Sequence, residues 1–191
     1  PNIVPDRAVG TFYVRAADGM ALAELKTRVK NCFEAGALAS GCDVEIQWAL
    51  GDYLEIKDCW PIAERYKANA ESLGRSFFPL EKIPTTGAGS TDMGNVSHRV
   101  PSIHPMIACA PPHVVIHNPE FAKYAGSESG DAAVLDGAKA LAMTAIDVMT
   151  DDKLMSDARD QFAETADLSA KAVAQAWHGD GDVTLGGCGC C

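Results

Sequence analysis

Residues 89–120, GSTDMGNVSHRVPSIHPMIACAPPHVVIHNPE, constrain this chain more than any other stretch. Pro101, Pro105, Pro111, Pro112 and Pro119, with Gly89, Ser90, Thr91 and Gly94 at the head, argue against a long regular helix there. The flanks on both sides read as ordinary helix and strand. The segment carries four of the chain's five histidines, His98, His104, His113 and His117, and one central carboxylate, Asp92. Loops held on a rigid scaffold are where binding and catalysis concentrate, which makes this the candidate site.

A chain of 191 residues can build one good-sized core or two small ones, and 47% apolar residues place it among globular proteins. The net charge of -10 offers no basic stripe for phosphates, so no nucleic-acid partner is expected. No apolar run approaches the length of a membrane span, and no signal peptide is visible at the start. Seven cysteines without framework spacing, four of them in apolar surroundings (Cys32, Cys42, Cys59 and Cys109), suggest buried, reduced thiols and a cytoplasmic location. The abrupt opening, without methionine or lead-in, points to a piece of a longer protein.

The pattern predicts a strand over 9–15, VGTFYVR, from its β-branched and aromatic residues. A helix over 20–39 follows, with Leu22, Leu25, Val29, Cys32, Phe33 and Leu38 at helical spacing, Asp18 as a plausible cap and Gly41 suited to a left-handed end. Residues 42–48, CDVEIQW, alternate as a half-solvated strand. This strand–helix–strand layer leaves a sheet face or edge free for a partner. A change of register at 51–58 marks the domain boundary. Beyond it the pattern gives a helix over 61–73, a short strand over 75–80 and an extended or strand segment over 114–116. Two long helices follow, from 131 to the break at Asp151–Asp152 and from 153 to 177. Residues 179–191, ending GGCGCC, read as a frayed tail. Cys188, Cys190 and Cys191 cannot all reach one tetrahedral ion without strain.

His117 follows an apolar run, and Asn118-Pro119-Glu120 reads as a turn into a short helix that would hold its imidazole still. It suits either a metal ligand or a half-buried histidine bonded to backbone. Asp92 sits in a Gly/Ser/Thr turn whose N–H groups can cradle an oxyanion, or it forms a plain Asx turn. Motifs such as HExxH, HxD, GxSxG, GxxxxGK and GxGxxG are absent, so these residues alone write no complete site.

Four segments together, NIVPDRAVGTFYVR, CFEAGALASGCDVEI, GSTDMGNVSHRVPSIHP and IHNPEFAKYAGS, resemble the C-terminal half of M20-family metallopeptidases. The branch is that of dipeptidases and aminoacylase-like enzymes related to aminobenzoyl-glutamate hydrolase. The resemblance implies an α/β fold: the end of a small α/β lid (dimerisation) domain over 1–50, then the C-terminal part of a zinc-peptidase-like α/β catalytic domain over 55–178. It implies substrate contacts from Asn2 and Arg15, a pocket loop at Gly89, Ser90, Thr91 and Asp92, and His117 as a ligand of Zn2+ or another divalent ion. The family's remaining ligands and its general-base glutamate lie before the lid, so the metal site would be incomplete here. The implied substrate is a small dipeptide or N-acyl amino acid, and the implied assembly a homo-oligomer through the lid. The alternative is a non-catalytic, lid-type dimerisation module.

Overall fold

The computed structural model describes residues 2–78 and 90–177. Among them are seven helices and no β-strand; the only bridges are isolated, Gly51 with Trp177 and Asp58 with Ser102. The α/β class expected from sequence is therefore corrected to a helical one. Residues 9–15 and 42–48 have the composition of strands, yet they run as unladdered chain, with Val9 and Tyr13 81% and 89% exposed. Strand propensity measures how well a side chain fits a pleated, half-buried surface. Without a neighbour to complete a ladder it produces no sheet. Residues 75–78 and 114–116 likewise form no strand, while 79–80, Gly89 and the 179–191 tail lie outside the described residues.

The chain divides into two compact units, one of residues 1–55 and 172–191, the other of residues 56–171. In the first, α1 (Gly19–Ser40) begins where the Asp18 carboxylate accepts the Ala21 N–H at 2.8 Å and stops at Gly41, φ 68°. That left-handed turn is open to glycine without steric cost. The apolar stripe of α1 finds no sheet to cover it: Cys32 and Leu38 are exposed, and Gly19 is the helix's one buried residue. Gly19 is close-packed, since a Cβ there would come within 2.7 Å of Leu54, and its N–H donates to the Glu55 carboxylate at 2.9 Å. Leu54, Ala172 and Ala176 form the small core of this unit. Lys26 meets Asp52 at 3.0 Å and lies 4.6 Å from the centre of the Trp48 ring.

The second unit contains α2 (Trp60–Ser72), α3 (Met93–Ser97), α4 (Pro119–Ala125), α5 (Glu128–Thr150) and α6 (Asp152–Ala163); α7 (Ala166–Ala176) leads from it back into the first. Pro61 opens α2, where a missing N–H costs nothing. Tyr66 and Ala70 of α2 and Ala140 of α5 make the core, with Leu73 and Ile103 packed against it. Polar groups pin the same helices at their edges. Asn69 donates to Thr144 Oγ1 at 3.1 Å and to Asp147 at 2.9 Å, and Arg75 holds Asp136 at 2.8 Å. The thiols divide: Cys59 is buried as expected, Cys109 is half-buried, and Cys32 and Cys42 are exposed.

Asp151 explains the break between α5 and α6. One carboxylate oxygen accepts the Leu154 N–H at 3.1 Å, and the other accepts Arg65 Nη2 at 2.8 Å. The Leu154 N–H and then the Arg65 guanidinium hold its carboxyl below the usual carboxylate range. A depressed carboxyl stabilises the fold above its unfolded pKa of about 3.9 and loses that contribution as pH falls through the folded value. Asp151→Asn keeps a capping oxygen and removes the charge. Its Tm deficit against wild type is expected to be full at pH 5–7 and to close as both are taken below roughly pH 3. A deficit that stays constant down to pH 2 would show that Asp151 acts without its charge.

Candidate functional site

The loop segment is organised by short polar hooks. At its head Thr91 Oγ1 accepts the Met93 N–H at 3.3 Å and lies 3.4 Å from Asp92 Oδ1. Asp92 occupies the N-cap of α3 but makes no side-chain cap bond, so the turn is held by threonine and the aspartate is exposed. Ser90 is also exposed. At the other end of α3, buried Ser97 donates to the Gly94 carbonyl at 2.7 Å and accepts the Lys57 N–H at 2.9 Å. Lys57 carries no local signal in the sequence. Its ammonium reaches the Phe162 carbonyl at 3.2 Å and Ser169 Oγ at 3.1 Å, over the Phe162 ring. Burial lowers its pKa, and the Glu164 carboxylate opposes the shift.

The histidines do not converge. His98 is buried behind α3, whereas His104, His113 and His117 are exposed. Partial burial raises the Asp58 carboxyl pKa, and the nearby His104 works against it. An acid and an imidazole near each other are two groups, short of a metal-binding set.

His117 has the most specific local geometry. Its φ of 64° makes it the one non-glycine residue with positive φ among those described. Histidine tolerates that region better than most residues, but it is an uncommon conformation and is held from outside. The holder is Asn118. Its Oδ1 accepts the Glu120 and Phe121 N–H groups at 2.8 and 3.0 Å, capping α4, while its Nδ2 donates back to the Val115 carbonyl at 2.6 Å. Bonds on both sides of His117 thus fix the backbone that displays it. The expected turn into a short helix is present; the strand expected to deliver the imidazole is replaced by an extended loop.

Asn2 and Arg15 belong to the first unit and are exposed; Ser90, Thr91, Asp92 and His117 belong to the second. Among the described residues, no three His, Cys, Asp or Glu side chains group in a way that could hold a metal ion. A zinc centre needs about three protein ligands. The described residues therefore do not by themselves fit one. No described helix is long and apolar enough to cross a membrane.

No protein-family model matches the chain. Two relatives do. It is 36% identical over 162 residues to the human Xaa-Arg dipeptidase and 35% identical over 162 residues to the mouse Xaa-Arg dipeptidase. Each alignment takes in 85% of this chain, which spans 37% of the length of these curated relatives. Over 85% of its length, then, the chain is similar to Xaa-Arg dipeptidases.

Proposed function

We propose that this chain is a non-catalytic helical module of a dipeptidase-type metallo-amidohydrolase, and that it does not hydrolyse peptides by itself. The reading rests on one conjunction. The chain aligns with dipeptidases over 162 residues, yet its described side chains bring together no metal-binding set. M20 membership of the complete protein, a divalent metal ion and a small peptide substrate with a free carboxylate belong to the same proposal. So do the lid and catalytic assignments of residues 1–50 and 55–178 and the roles of Asn2, Gly89, Ser90, Thr91 and Asp92.

His117 is the ligand candidate within it, supported by the fixed backbone on either side. One ligand without companions binds weakly. Calorimetry of the isolated chain with zinc is expected to show no site tighter than roughly micromolar. A dipeptide with C-terminal arginine, incubated with chain and zinc, is expected to stay intact. Zinc-dependent cleavage by the chain alone, abolished in His117→Ala, would overturn the proposal.

Arg15 is the candidate clamp for the substrate carboxylate, because a planar fork of donors matches a carboxylate in two parallel bonds. In the complete protein, Arg15→Ala is expected to lower kcat/KM on a free-acid dipeptide by roughly 30-fold or more and to leave the dipeptide amide nearly unaffected. Equal losses on both substrates would place the clamp elsewhere.

A further inference from the structure

The first unit holds a groove of about 270 Å³, lined by none of the residues of the candidate site. Ala23, Lys26, Thr27 and Lys30 make one wall, since positions i, i+3, i+4 and i+7 share a face of α1. Trp48, Asp52 and Gln175 complete it. The Asp52 N–H donates to the Ala176 carbonyl at 2.9 Å, which ties this stretch of chain to the end of α7. The Lys26 ammonium donates to both Asp52 oxygens at 3.0 Å and stands over the Trp48 ring, with its side chain only 12% exposed. The ion pair thus cancels its own charge, and the cation braces the indole. Trp48 remains 40% exposed.

We propose that this groove binds a small planar aromatic anion. An exposed indole held in place by Lys26 offers apolar surface already ordered for stacking, so little freedom is lost on binding. The anion has a receiver in Lys30, one turn along from Lys26. Its pair with Glu34 is 3.5 Å long and about half exposed at both ends, so turning the ammonium into the groove costs little. A cation fits badly there. It would meet two ammonium groups, while both Asp52 oxygens already accept from Lys26. The volume lies just below the roughly 300–1,000 Å³ of drug-sized pockets, which limits the ligand to a small molecule. No residue assigned to the dipeptidase site takes part, so the groove stands or falls apart from that reading.

The test titrates the full chain with naphthoate and with its uncharged counterpart, naphthamide, and follows the backbone amide resonances by NMR. Saturable shifts at Ala23, Thr27 and Gln175 are expected for naphthoate, with a Kd of about 1 mM, ordinary for a ligand of this size. The amide is expected to bind roughly fivefold more weakly, because it offers Lys30 no charge. Lys30→Gln is expected to erase that difference, weakening the acid by roughly fivefold and leaving the amide within about twofold. Lys30 is exposed, and circular dichroism of this variant is expected to match wild type. Trp48→Leu is expected to weaken both probes by roughly tenfold, since both lose the ring they stack on. No saturable shift with naphthoate up to about 10 mM, or shifts centred outside the groove, would overturn the proposal. So would equal binding of acid and amide, or acid binding that Lys30→Gln leaves unchanged.

Discussion

Tyr66→Ala is expected to cost about 3–5 kcal/mol of folding stability, the range for emptying an aromatic side chain from a packed core. Tyr66 is 3% exposed and is the one large side chain between Ala70 and Ala140, which are 1% and 0% exposed. Ala70 and Ala140 are too small to fill the space, and Leu73 and Ile103 at its edge can close only part of it. Tyr66 also meets Phe77 edge-on, with ring centres 6.4 Å apart, a contact that is lost as well. Thermal unfolding followed by circular dichroism is expected to show a fall in Tm of roughly 10–20 °C. Tyr66→Phe keeps nearly all the volume and is expected to cost less than about 1.5 kcal/mol. A loss under about 1 kcal/mol for the alanine variant would mean that the helices are held together elsewhere.

The second large effect is expected from Gly130→Ala, against the ordinary rule that alanine strengthens a helix by about 1 kcal/mol over glycine. A Cβ at Gly130 would run into the Ala125 carbonyl oxygen and stand 2.8 Å from the Tyr124 oxygen. These are backbone atoms at the end of α4 and cannot rotate away. The helix must move, and the net cost is expected to be about 1–3 kcal/mol, the scale of overpacking. The motion has a direction. It displaces α4, hence its Asn118 cap, hence the hook that holds His117 at positive φ. NMR of the histidine ring protons is expected to shift His117 more than His104. A stabilised variant with an unmoved His117 resonance would show that α4 and α5 yield at no cost.

The legible parts of the fold were those written in local chemistry. Asp18 and Gly41 marked both ends of α1, Pro61 the start of α2, and Asp151 the corner before α6. The strands were not legible, because VGTFYVR and CDVEIQW specify what suits a sheet and cannot specify that one is present. The single helix expected over 153–177 is two, broken after Ala163. The apolar positions Leu154, Ala158 and Phe162 before the gap and Leu168 and Ala172 after it read as one helix and conceal it. Within the candidate site, the pairing of Asn118 with a short helix was readable from Asn-Pro-Glu. The left-handed backbone of His117 was not, because it depends on the Val115 carbonyl meeting Asn118 from the other side. Lys57 carried no local signal, since its partners Ser97, Phe162 and Ser169 are 40 to 112 positions away.

That lysine has a consequence for proteases. Trypsin needs a lysine side chain extended into its own pocket, with the flanking backbone drawn out to match. At Lys57 the ammonium is engaged by Phe162 and Ser169, and the N–H by Ser97. The enzyme can seize it only when all three contacts are open together. Cleavage after Lys57 therefore tracks the population of a locally unfolded form, as proteolysis does when opening and reclosing are fast. In a digest, Lys57 would act as a clock for how often this corner of the molecule comes apart.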